Sequence, residues 1–198
     1  MSAVATSIPH TAGASHLPCR GKVGMATLII AESAIFTIFV VAYLFYAGKS
    51  LTGPTPREVL SPPIFFSICL LSSSLTIHFT TKFLEQGRRG AFLGLLSLTI
   101  LLGALFLYGT GREWYRLIYE HGLTISTNLF GTTYYSLVGL HAFHVTAGLL
   151  MLTIVLLFGL AGRVGPEQAG RVDVLSLYWH FVDAVWVVVF TVVYVVAR

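Results

Sequence analysis

Five apolar runs, each long enough to cross a bilayer, leave this chain few ways to fold. They cover about residues 23–47, 62–83, 91–111, 131–162 and 172–196. About 20 apolar residues in a helix span the hydrocarbon layer, where every backbone donor and acceptor must be satisfied within the segment. Helices meet that requirement, and open strands do not. Composition agrees: 56% of the residues are hydrophobic, 10% are charged, and mean hydropathy is +0.82. A soluble domain carries about 25% charged residues. The expected fold is therefore all-α, a bundle of five transmembrane helices.

The connections are short and punctuated. Gly53-Pro-Thr-Pro-Arg-Glu is a proline-rich turn, and Lys82 to Arg89 is a compact charged one. Arg112 to Phe130 is polar and aromatic and leads into the long fourth run, which must tilt or project from the bilayer. Residues 1–20 are small and polar with no apolar core of their own, so they read as a flexible tail and not as a cleavable signal. Residues 21–198 form one membrane domain without an internal repeat. Cys19 and Cys69 suggest neither a disulfide framework nor a cysteine-rich metal site.

The formal charge of +4 is not read as a nucleic-acid signal, because basic residues collect in loops retained on the cytoplasmic side. The end holding the N-terminus carries seven: Arg20, Lys22, Lys82, Arg88, Arg89, Arg163 and Arg171. The opposite end carries five: Lys49, Arg57, Arg112, Arg116 and Arg198. That places the N-terminus in the cytoplasm and the C-terminus outside.

Polar groups inside the spans are expensive, about 2.5–3.5 kcal/mol for a charge at a helix centre, and so point to partners. Glu32 lies within the first span, as packing glue or as a proton-handling group. His141 and His144 share a face of the fourth span, and His180 and Asp183 repeat the spacing on the fifth. Two readings follow. One is an internal polar network of Glu32, His141, His144, His180 and Asp183, in which Glu32, His144 and His180 lie close together and Asp183 orients His180. The other is a metal site built from His141, His144, His180 and Asp183, which would make the chain a metal-dependent membrane enzyme. His78 and Glu113 read as interfacial groups, with Glu113 beside Arg112 and Arg116. The serine and threonine cluster at Ser72, Ser73, Ser74 and Thr76 lets helices approach closely. Trp179 and Trp186, two turns apart, suit packing on a neighbouring helix or lipid. No nucleophile with its base, phosphate loop or haem-attachment motif is present, so no catalytic centre is expected.

Several segments also carry a family resemblance. Tyr178-Trp-His-Phe-Val-Asp-Ala-Val-Trp186 resembles the last-helix signature of subunit III of haem–copper terminal oxidases. In order along the chain, Ala31-Glu32-Ser33-Ala34-Ile35-Phe36 is similar to its Ser-Glu-x-x-Phe-Phe segment, departing at Ala31 and Ile35. Arg112-Glu113-Trp114, Gly131-Thr-Thr-Tyr-Tyr135 and Gly139-Leu-His-Ala-Phe-His-Val-Thr-Ala-Gly148 resemble three further elements, with Ala142 where glycine is usual. The resemblance covers about Gly21 to the C-terminus.

It implies an accessory subunit of an aerobic respiratory oxidase, of the cytochrome c oxidase type. Such a subunit packs on subunit I beside subunit II, holds phospholipid and supports proton uptake. Haem and copper are expected in the partners and no cofactor or metal in this chain. Glu32 matches the family's carbodiimide-reactive glutamate. Many members have seven helices; this chain resembles the five-helix form, which implies a bacterial inner membrane. A quinol oxidase or a nitric-oxide-reductase-associated homologue would carry the same features.

Overall fold

The computed structural model describes residues 20–50 and 53–196. Residues 1–19 of the expected tail, Cys19 among them, lie outside the described residues, as does Arg198; Arg20 already belongs to the first helix. The described elements are helical: α1 (Arg20–Tyr46), a single turn α2 (Pro56–Val59), α3 (Ile64–Glu85), α4 (Arg89–Tyr119), α5 (Leu129–Leu160) and α6 (Ala169–Phe190). A 3-10 turn, Pro166–Gln168, leads into α6, and its C-terminal end widens to a π-helix over Thr191–Val196. Five of these helices are long and apolar enough to cross a membrane: α1, α3, α4, α5 and α6 with its extensions.

The boundaries follow local chemistry. Asn128 caps α5 by accepting from the Gly131 N–H at 2.8 Å, and Gly162 ends the turn after α5 with a left-handed φ of 76°. Gly87 takes φ 69° in the three-residue turn, Gln86 to Arg88, that reverses α3 into α4. Helix α4 does not stop where its apolar run ends near Gly111. It continues two turns to Tyr119, because Glu113, Leu117 and Arg116 find partners on neighbouring elements. At about 1.5 Å per residue, the 32 residues of α5 extend about 48 Å, well beyond a hydrocarbon layer of about 30 Å.

Helices α3, α4, α5 and α6 form a ring in which each packs on the next and α6 closes on α3. Helix α1 docks outside that ring, against α5 and α6, and is the least buried span. Trp179 and Trp186 of α6 fill the ring's interior, both essentially inaccessible. Their indole N–H groups donate to Ser73 Oγ at 2.8 Å and Ser67 Oγ at 3.1 Å on α3. An indole inside hydrocarbon needs such an acceptor, and a serine supplies it while keeping the helices close. The facing surface is small for the same reason: a Cβ on Gly148 would lie 2.8 Å from the Trp179 ring. Thr76 and Thr99 join α3 to α4 at 2.8 Å.

The ends of the helices alternate. Lys22 at the start of α1 pairs with Asp173 at the start of α6 at 2.7 Å. Arg89 at the start of α4 donates to the Gly159 and Leu160 carbonyls at the end of α5, where unpaired helix carbonyls favour a cation. One end of the bundle therefore gathers the beginnings of α1, α4 and α6 with the ends of α3 and α5.

Candidate functional site

The polar residues within the spans resolve into two separate pairs and one isolated histidine. Glu32 projects from α1 toward α5, where its Oε2 lies 3.2 Å from His144 Nε2. The other ring nitrogen, Nδ1, is 2.8 Å from the Leu140 carbonyl. A carbonyl only accepts, so Nδ1 carries a hydrogen. Nε2 and the carboxyl then share one proton between them, as imidazolium and carboxylate or as imidazole and carboxylic acid. Either form makes the pair neutral overall, which removes the cost of a lone charge in the span. The Tyr178 hydroxyl donates to the His144 carbonyl at 3.2 Å and fixes α6 against the same turn of α5. The Glu32 side chain remains 22% exposed and that of His144 9%, so the pair reaches the outer surface beside α1.

His180 and Asp183 lie elsewhere, on the face of α6 that meets α3. His180 Nδ1 is 3.1 Å from Ser74 Oγ, and its Nε2 is 3.2 Å from Ser176 Oγ. The Ser74 hydroxyl also donates to Asp183 Oδ2. Asp183 is buried, and its Oδ1 has no partner. Of the expected network, Glu32 and His144 do meet, whereas the joining of His180 to them is corrected. Helix α1 sits outside the α3–α6 ring, and His180 bonds to Ser74 of α3 and Ser176 of its own helix, not to Glu32 or His144. Asp183 does not hold His180 directly either; Ser74 stands between them.

His141 departs from both pairs. One turn from His144, it points into the ring, fully buried, with neither ring nitrogen hydrogen-bonded. It stacks on Trp186 with centroids 5.0 Å apart and meets the edge of Phe106 at 5.7 Å. It behaves as an aromatic core residue and does not join the polar network expected of it. The alternative metal site falls with the same geometry: His144 belongs to Glu32, His180 to the serines and His141 to Trp186. Among the described residues no group of three His, Cys, Asp or Glu side chains is placed to hold a metal ion.

His78 is exposed near the end of α3 and lines a cavity of about 410 Å³ together with Ser176 and His180. Glu113 lies within reach of the Arg116 charge, as expected, but it is partly buried and accepts its hydrogen bond from the Tyr194 hydroxyl at 2.8 Å. Arg116 turns to Ser61 Oγ at 2.7 Å and the Val59 carbonyl. The sequence reading marked Ser74 for close helix packing but not as a partner of His180 and Asp183, and it missed Ser176 and Tyr194. Ser176 had a local signal, lying one turn before His180. Ser74 and Tyr194 had none, since each acts on a side chain more than eighty residues away.

Comparison with known proteins matches residues 16–198 to the family model described as cytochrome c oxidase subunit III. A relative from Corynebacterium diphtheriae, named cytochrome c oxidase subunit 3, is 41% identical, the alignment covering 94% of this chain and 93% of that protein. One from Bacillus subtilis with the same name is 33% identical over 82% of this chain and 80% of its own. A Pseudomonas putida relative, named cytochrome bo(3) ubiquinol oxidase subunit 3, is 32% identical over 86% of this chain and 83% of its own.

Proposed function

Because the chain belongs to the cytochrome c oxidase subunit III family, a multi-pass subunit of a haem–copper oxidase, we propose that it serves that complex as a non-catalytic accessory, packed on subunit I beside subunit II in a bacterial inner membrane. Haem and copper belong to the partners. The observation that carries this reading is the extent of the match, which takes in all five candidate spans of the described residues. The arrangement of the chain's polar groups supports it, since Glu32 pairs with His144, Asp183 with Ser74, and no three His, Cys, Asp or Glu side chains among the described residues converge on one point.

Two finer roles rest on particular features. An apolar groove of about 290 Å³ runs between α1 and α6, lined by Phe36, Val40, Phe181, Val185 and Val189 among others. Its shape and lining suit an acyl chain, and Ser33, the residue after Glu32, is part of that lining. That fits phospholipid held against subunit I. The Lys- and Arg-rich end, with His78 and the cavity behind it, faces the cytoplasm in this reading and supports proton uptake there.

Purification of the intact complex from its native membrane tests the assignment. The chain is expected to copurify with a haem-bearing subunit I and a subunit II that carries a dicopper motif, the mark of a cytochrome c oxidase. A subunit II lacking that motif would select the quinol oxidase instead, a reading favoured by the ubiquinol oxidase relative. Recovery without any haem-bearing partner would overturn both.

A further inference from the structure

The contacts between α3 and α6 form a continuous line from a surface cavity to a buried carboxylate. The cavity, about 410 Å³, opens at the end of the bundle where α1 and α6 begin. Ser176 and His180 line its inner wall. From there the line runs Ser176 Oγ to His180 Nε2 at 3.2 Å, His180 Nδ1 to Ser74 Oγ at 3.1 Å, and Ser74 Oγ to Asp183 Oδ2. Asp183 is only 3% exposed, and Oδ1, its second oxygen, has no protein partner. At about 1.5 Å per residue it stands about 21 Å from the start of α6, near the middle of the span. A carboxylate with one unsatisfied oxygen at that depth is a poor structural device, since an apolar side chain would pack there at lower cost. A carboxyl group that exchanges a proton has a reason to be there.

We propose that Asp183 is a proton-storage site within this chain, loaded from the cavity through Ser176, His180 and Ser74. The geometry allows two complete hydrogen-bond arrangements. With Asp183 charged, Ser74 donates to Asp183, His180 Nδ1–H donates to Ser74, and Ser176 donates to His180 Nε2. With Asp183 protonated, every donor and acceptor in the line reverses. To pass between them, a proton from cavity water adds to Ser176 Oγ as that hydroxyl's own proton moves to Nε2. The Nδ1 proton moves to Ser74 Oγ as the Ser74 proton moves to Asp183 Oδ2. One proton enters, one carboxylate becomes neutral, and His180 ends as neutral imidazole with its hydrogen on the other nitrogen. No other reactant is required.

The charged and titratable groups facing this line come from three helices. Helix α1 brings Lys22, which pairs with Asp173 of α6, and α3 brings His78, Lys82 and Glu85; α4 and α5 do not line the cavity. His78 and Glu85 are both exposed where they line the cavity. The Glu32–His144 pair is not on this route.

The proposal goes beyond the accessory-subunit reading and does not depend on it, because the test uses the full chain alone, reconstituted in lipid nanodiscs. The chain has only two aspartates, Asp173 and Asp183. Carbon-13 labelling of aspartate therefore assigns the infrared C=O stretch of a protonated Asp183, and D183N confirms the band by removing it. The band is expected to appear as pH falls and to shift when the buffer is changed to deuterium oxide. Ser74→Ala should slow that exchange by at least about tenfold, and Ser74→Thr, which keeps a hydroxyl, should restore it. His180→Phe should slow it as well. An aspartate band that never titrates would overturn the proposal. So would an unchanged exchange rate in Ser74→Ala, or a slowed rate that Ser74→Thr fails to restore, which would mark a packing defect.

Discussion

At the scale of single residues, the shared proton between Glu32 and His144 makes a sharp prediction. Glu32→Gln leaves an amide N–H that can donate to His144 Nε2, so the bond survives without the ionisable group. Assembly and haem content of the complex are expected to stay intact, with unfolding shifted by less than about 1 kcal/mol, and turnover-dependent inactivation to change only modestly. Glu32→Ala leaves Nε2 without a protein partner and should destabilise by about 1–2 kcal/mol. Thermal unfolding of the purified complex distinguishes the two; loss of the whole complex in Glu32→Gln would assign Glu32 to packing alone. His141 predicts the opposite behaviour. Its ring nitrogens are both buried without partners, and it stacks on Trp186. His141→Phe keeps the aromatic contact and removes the unsatisfied groups, so stability should hold or rise by about 1–3 kcal/mol. The equivalent change at His144 should lower it. The two histidines are the same residue type three positions apart, and nothing in the sequence separates their fates. What differs is the neighbour: an acid on α1 for one, an indole on α6 for the other.

At the scale of elements, the spans were legible because the bilayer dictates length and polarity, and both are written into local sequence. Pairings across helices were not. Glu113 sits beside two arginines in the chain, and those near neighbours suggested an exposed ion pair. The continuing helix instead carries it to Tyr194 from the last turn of the bundle. Likewise, the small and hydroxyl residues of α3 marked a close helix contact, but not that Ser73 would serve Trp179 and Ser74 would serve Asp183. The α3–α4 hairpin tests how much depends on that closeness. A Cβ on Gly109 of α4 would fall on the Phe66 ring near its attachment to α3, where the side chain has little room to swing. Gly109→Ala is therefore expected to cost about 1–3 kcal/mol by forcing the two helices apart. Gly111→Ala, which faces open space, serves as the control, with no loss expected. Comparing the two midpoints in a single detergent isolates the packing term.

At the scale of the whole molecule, the ring of four helices with α1 outside it explains why the polar groups divide. A residue on α1 reaches only α5 and α6 from their outer side, so Glu32 stays near the surface of the bundle, whereas Asp183 lies in the seam with α3. It also gathers charge at one end. Arg20, Lys22, Lys82, Arg88, Arg89, Arg163 and Arg171 all lie where α1, α4 and α6 begin, against Lys49, Arg57, Arg112 and Arg116 at the other end of the described residues. Not all of these count equally for orientation. Arg89 is committed to the α5 carbonyls and Arg116 to Ser61 and Val59, but both remain at the membrane boundary, where a positive charge still resists translocation. The basic end is thus expected in the cytoplasm. In a background lacking Cys19 and Cys69, cysteine at Gln86 should react with a membrane-impermeant maleimide only after the cells are opened. Cysteine at His121, in the opposite loop, should react in intact spheroplasts. The reverse pattern would place the cavity that leads to Asp183 outside, and proton loading would then draw from that compartment.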